Sequence, residues 1–140
     1  MLNITVEWLK QDRVIYQRFV GRVTLEGMRQ VQPLFAAMLD HGTAPVHAVI
    51  DLREVTDYPR NLRRLSEVMM MRNSPHLGFV LVMTSNVLLR FVTTVLTQTF
   101  ARRMNVHWLD DEDSVIAFLR KHDDTLQHIE WSLARHSVEV

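Results

Sequence analysis

The sequence predicts an α/β fold: element order ββαβαβαβα, with a mixed, mostly parallel five-stranded sheet joined by crossover helices. Three observations carry this. Val46-His47-Ala48-Val49-Ile50-Asp51-Leu52 is a short apolar run rich in β-branched residues, as in strands buried on both faces of a sheet. Leu77-Gly78-Phe79-Val80-Leu81-Val82-Met83 is a second run of the same kind. A stretch with helical apolar spacing follows each of them, which is the signature of crossover units, and such crossovers are right-handed.

Taken in order, Ile4, Val6 and Trp8 alternate with Thr5 and Glu7, a period-two strand. Lys10-Gln11-Asp12 forms a turn, and Val14 to Val23 is a second strand, antiparallel to the first because the gap is short. Gly21 marks a bulge near its end. Thr24 caps a first helix, with Glu26 in its first turn. Its apolar positions are Leu25, Met28, Val31, Phe35, Met38 and Leu39. Pro33 is expected to kink or break it by removing a backbone donor, and Gly42 and Pro45 close it. After the strand ending at Leu52, a loop leads into a helix from about Asn61 to Arg72, with Leu62, Leu65, Val68 and Met69 as its stripe. Asn73-Ser74-Pro75 stops it. Ser85 or Asn86 caps a third helix whose buried side is read as Leu88, Phe91, Val92, Val95, Leu96, Thr99 and Phe100. Val106-His107-Trp108-Leu109 is the last strand. Asp110 to Asp113 sit at the start of the last helix, where negative charge is favourable, and Val115, Ile116, Phe118 and Leu119 form its apolar face. Leu126, Ile129 and Leu133 continue at helical spacing.

The 140 residues suit one domain able to bury a core without staples. Cysteine is absent, which excludes disulfides, zinc-thiolate sites and thiol nucleophiles. Sixteen basic residues balance sixteen acidic ones, and basic and aromatic residues are not interleaved, so nucleic acid is not an expected partner. The N-terminus lacks a signal-peptide pattern, and no apolar stretch reaches membrane-spanning length. The expected setting is cytoplasmic, without membrane attachment.

The chain resembles the STAS superfamily, the SpoIIAA-like domain of anti-sigma-factor antagonists, over roughly residues 3 to 121. Val49-Ile50-Asp51-Leu52-Arg53-Glu54-Val55 is similar to the family's third strand, Gly78 to Val82 to its fourth, and Asp111 to Leu119 to its closing helix. The resemblance implies a STAS-like domain over 1–122 and a C-terminal helical extension over 123–140, packed on the domain or on a partner subunit. It also implies a phosphoacceptor in an Asp-Ser-Ser/Thr-Gly motif at the start of the helix after the third strand. This chain has Pro59-Arg60-Asn61-Leu62 there, and no serine or threonine lies between Asp57 and Leu65. The nearest such hydroxyls are Thr56 and Ser66.

The residues that carry chemistry are few. His47, His76 and His107 lie on or beside strands without metal-ligand spacing, so no metal or cofactor is expected. Asp51, Glu54, Asp57 and Tyr58 gather where α/β sheets place sites, but no nucleophile–base pair is legible. Arg53, Arg60, Arg63 and Arg64 crowd the same region. Arg53, Tyr58, Arg60, Asn61, Arg64 and Asn86 are the candidate contacts for an anion or a partner, using the amides of two helix N-termini. The alternative is a solvated helix face. Met69-Met70-Met71 cannot all face one core and offers outward contact surface. Leu126, Ile129, Trp131 and Leu133 form an apolar set, and a homodimer packed through this segment is expected; the alternative is that it folds back on its own sheet. The functional expectation is a non-catalytic regulatory or interaction module without the family phosphoswitch. The alternative is a domain binding a small apolar, lipid or anionic ligand.

Overall fold

The computed structural model describes residues 3–69, 74–100 and 104–136. The strands are β1 (Ile4–Lys10), β2 (Val14–Arg22), β3 (Val46–Asp57), β4 (Leu77–Met83) and β5 (Asn105–Leu109). The helices are α1 (Leu25–His41), α2 (Leu62–Met69), α3 (Val87–Phe100) and α4 (Glu112–His122), followed by a 3₁₀ turn at Asp124–Leu126. The five strands lie in the order β1-β2-β3-β4-β5. β1 pairs with β2 antiparallel, and the remaining pairs are parallel.

Residue parity splits the core into two layers. Even positions of β3 (Val46, Ala48, Ile50 and Leu52) meet Met28, Val31, Phe35 and Leu39 of α1, Leu65 of α2, and Leu89 and Leu96 of α3. Odd positions turn to the other face, where Val49, Leu81 and Met83 meet Val115, Ile116 and Leu119 of α4. All three crossover helices therefore cover one face, as right-handed connections between successive neighbours require. The register shifts between Gly21 and Arg22, and Gly21 has φ +68, so the expected bulge is present with a residue suited to it.

Four local readings are corrected. Pro33 does not break α1, which runs through it. Pro33 and Arg29, whose carbonyl would have accepted its missing N–H, both lie on the exposed side, where water can serve that carbonyl. β3 does not end at Leu52 but continues to Asp57, because Glu54, Val55 and Asp57 still pair with Val20, Gly21 and Arg22. The apolar positions of α3 span a wide arc that holds both Leu88 with Phe91 and Leu89 with Leu96, so spacing alone does not determine its buried side. It buries Leu89, Thr93 and Leu96, while Leu88 and Phe91 face outward. Finally, residues 123–136 form one 3₁₀ turn and then irregular chain. Met70 and Met71 lie outside the described residues, and with them the expectation of a methionine contact surface.

Candidate functional site

The C-terminal end of a parallel sheet is where loops gather functional groups, and β3 and β4 deliver their residues there. Asp51 is 2% exposed, and its carboxylate is fully engaged. The Tyr16 hydroxyl donates to Oδ2 at 2.6 Å, and Arg53 donates to both oxygens from Nε and Nη2 at 3.0 Å. The same guanidinium turns its other side to Glu112, with Nη1 and Nη2 at 2.9 and 3.0 Å from the two oxygens. Burial pushes the Asp51 carboxyl up, but the hydrogen bonds from Arg53 and Tyr16 outweigh it and hold the group below the usual range. Glu112 follows the same logic, with Arg53 overcoming its burial. Tyr16 is pushed far above its ordinary value by burial and by its bond to Asp51. Arg53 stays charged despite burial because of its two carboxylates. Both sides of the Arg53 guanidinium are thus occupied by acids of the chain itself. The network ties β2 and β3 to the start of α4.

At the opposite end of β3, the buried ring of His47 accepts the Phe79 N–H on Nδ1 at 3.0 Å. Nε2 therefore carries the proton and donates to Asp123 at 2.8 Å. Arg13 also reaches Asp123, at 2.9 Å. Burial pushes the His47 pKa down, and the bond to Asp123 only partly offsets this. Asp123 is held at about 2: burial raises it, but bonds from His47 and Thr125 outweigh that. His107 and His122 stack edgewise or tilted around Phe79 and Phe118. Among the described residues, no group of three metal-ligating side chains converges.

Of the other sequence candidates, Asn61 accepts from Arg64 N at 3.1 Å and caps α2. Asn86 accepts from Leu88 N and Leu89 N at 2.9 and 3.1 Å and caps α3. Arg60 lies over the Tyr58 ring, 4.4 Å from its centroid, and pairs with Asp57 at 3.3 Å. Arg64 is exposed and forms no ion pair among the described residues. These groups share the C-terminal end of the sheet, where α2 and α3 begin, and the two helices are in contact. An open groove of about 590 Å³ lies nearby, lined by Asn3, Arg22, Thr24, Glu26 and Gln30 among others. What the sequence reading missed is the outer side of α3. Val87 is 83% exposed, Leu88 59% and Phe91 65%, an apolar group in water of the sort that marks contact surfaces.

The apolar set of the C-terminal segment is covered by the chain itself. Leu126 and Ile129 are buried in the α4-side core. Trp131 meets Tyr16 edge-on with centroids 5.3 Å apart. Ser132 Oγ donates to Leu9 O at 2.7 Å. Arg120 donates to Ile129 O from Nε and Nη2 at 2.9 and 2.7 Å. Trp131 and Leu133 are partly buried against the same core.

No family model matches the sequence, and no curated protein does. Solved structures do match. An uncharacterised protein of the DUF3478 family from Shewanella loihica PV-4, with a SpoIIAA-like fold, aligns with a TM-score of 0.62 and 19% identity over 83% of this chain and 91% of that one. The anti-sigma factor antagonist SpoIIAA, in its unphosphorylated form, aligns with a TM-score of 0.54 and 12% identity over 84% and 96%. With its antiparallel β1–β2 pair, four parallel-ordered strands and three crossover helices on one face, this chain has the SpoIIAA-like fold.

Proposed function

We propose that this protein is a non-catalytic regulatory module that works by binding another protein, through the end of the fold where α2 and α3 begin. The observation that carries this reading is the exposed apolar group Val87, Leu88 and Phe91. Large apolar side chains grouped on one helix face are costly in water unless a partner covers them. The likeness in fold to an anti-sigma factor antagonist supports a regulatory role. The buried carboxylates support a non-catalytic one, since Asp51 and Glu112 are committed to Arg53. The turn between β3 and α2 is Tyr58-Pro59-Arg60-Asn61, which offers no serine or threonine to phosphorylate. Binding is therefore constitutive with respect to that position. Among the described residues no helix is long and apolar enough to cross a membrane, in keeping with a cytoplasmic partner.

A photo-crosslinking residue at position 91, in protein expressed in its own cells, tests this. One discrete protein should be captured there and not from exposed Ala134 on the other side of the sheet. Phosphopeptide mapping of the same material should find residues 56–67 unmodified. Equal capture from both positions, or stoichiometric phosphate on Thr56 or Ser66, would overturn the proposal.

A further inference from the structure

The interaction-module reading leaves the chemistry of the partner open, and the surroundings of α3 narrow it. The rotation of α3 is fixed from inside. Leu89 and Leu96 are in the core, and Trp108 Nε1 donates to Thr93 Oγ1 at 2.9 Å. Residues 87, 88 and 91 then share an arc of about 100° on the outer side, at 100° per residue. Their exposure is thus built into the fold.

Positive charge is concentrated on α2 and on the first turn of α3. Arg60 and Arg63 have acids of their own, Asp57 at 3.3 Å and Glu67 at 3.8 Å. Arg64 at the start of α2 and Arg90 beside Phe91 are exposed and have no ion pair among the described residues. Neither α2 nor α3 has an acid in its first turn, whereas α1 has Glu26 and α4 has Glu112 and Asp113. The chain as a whole is neutral. The acidic run Asp110 to Asp113 lies instead at the start of α4, on the other face of the sheet, where Glu112 pairs with Arg53 and Asp113 with Arg135.

We infer that Val87, Leu88 and Phe91, with Arg90 on the same helix and Arg64 on the neighbouring α2, dock an acidic protein segment carrying its own apolar anchors. The inference rests on the interaction-module reading and adds the chemistry of the partner. A buried aromatic with arginine beside it is the usual composition of a binding hot spot. Opposite charge sets the register and speeds encounter. A second copy fits less well, because a two-fold contact presents the same patch to itself and brings unpaired arginines together. An anionic lipid surface has the matching charge, but three short anchors and two arginines amount to one weak, reversible signal.

The test is a titration of ¹⁵N-labelled full-length protein with a synthetic amphipathic peptide of leucine and glutamate, with its lysine-for-glutamate counterpart, and with phosphatidylserine-containing vesicles. The acidic peptide should shift amides of residues 60–67 and 87–95. Its affinity should fall about tenfold in Phe91→Ser and again in Arg64→Glu/Arg90→Glu. Spectra of the free variants establish that they fold. Absence of shifts, equal binding of the lysine peptide, or vesicles causing the same shifts would overturn the inference. The crosslinking experiment separates the two levels. Capture lost in Phe91→Ser but kept in Arg64→Glu/Arg90→Glu would leave the surface standing and reject the acidic partner. Capture unaffected by either would reject both.

Discussion

Gly78 lies directly against the imidazole of His47: a Cβ at position 78 would sit 2.5 Å from Nδ1 and 2.7 Å from Cε1. The register between β3 and β4 shifts here, between Val46 and Ala48, and the Phe79 N–H is taken up by the His47 ring instead of by the ladder. The bulge, the glycine and the histidine form one device, since the ring can act as acceptor only because position 78 has no side chain. Gly78→Ala should destabilise the fold by about 1–3 kcal/mol through overpacking. In a His47→Ala background the same substitution should cost much less, because partners in direct contact are not additive. Denaturant midpoints of the two single variants and the double variant check this. Simple additivity would show that the contact is not the cause.

The same histidine makes stability depend on pH. His47 is neutral in the folded protein, since burial lowers its pKa and Nδ1 is committed to the Phe79 N–H. In the unfolded chain it titrates near the ordinary value of about 6.5. Below that pH the unfolded state binds a proton that the folded state refuses, so stability falls as the pH falls, by at most about 1.4 kcal/mol per pH unit. His47→Asn keeps an acceptor for Phe79 but does not titrate. Urea unfolding between about pH 7.5 and 5.5 should show a smaller loss in the variant than in wild type. Parallel pH profiles would place the titration elsewhere among the seven histidines.

Arg53 is the one cation between two buried acids, Asp51 and Glu112. Arg53→Met leaves both carboxylates without it and should cost about 3–5 kcal/mol at neutral pH. The penalty should shrink as the pH is lowered, because the stranded carboxyls can then take up protons. Adding Asp51→Leu and Glu112→Met should recover part of the loss, since apolar packing replaces buried ion pairs well but the buried Tyr16 hydroxyl then lacks its acceptor. Equilibrium denaturation of the single and triple variants decides the matter, and a single variant as stable as wild type would contradict the geometry.

The layering of the fold was legible because its strands are short, β-branched and separated by helical spacing. What escaped has particular causes. Asp51 inside an apolar run was a signal in itself, as a buried acid needs a partner, and Arg53 shares its face by strand parity. The apolar run ends at Leu52, which puts Arg53 in a loop by sequence, whereas pairing with β2 carries β3 on to Asp57. The apolar arc of α3 is wide, and periodicity does not show that the buried side takes in Thr93 and leaves Phe91 out. The spacing of Leu126, Ile129 and Leu133 fits a helix, yet Asp123 takes the Thr125 N–H and hydroxyl and holds a 3₁₀ turn. The chain then extends over the sheet.

The C-terminal segment is part of the core, and shortening the chain should reveal it. Leu126 and Ile129 are nearly inaccessible, and burial of each such side chain is worth roughly 1.5–3 kcal/mol. A chain ending at His122 also loses Asp123, the acceptor for His47 and Arg13. It should be destabilised by at least about 3 kcal/mol, and Ile129→Ala alone by about 2–5 kcal/mol. Chemical denaturation of both is the measurement. An unchanged midpoint for the shortened chain would mean that the segment merely rests on the surface.

The orientation of α3 gives the last test, because two neighbouring apolar residues should behave oppositely. Leu89 is 5% exposed and packs in the core under the crossover helices, while Phe91 is 65% exposed. Leu89→Ala removes buried methyl groups and leaves a cavity, at a cost of about 2–5 kcal/mol. Phe91→Ser removes a larger side chain but should change stability by no more than about 0.5 kcal/mol, as surface substitutions do. A helix rotated to bury Phe91 would reverse this order. It would also cover the apolar face on which the proposed partner contact depends, so a stability loss in Phe91→Ser comparable to that in Leu89→Ala would remove the basis for that contact.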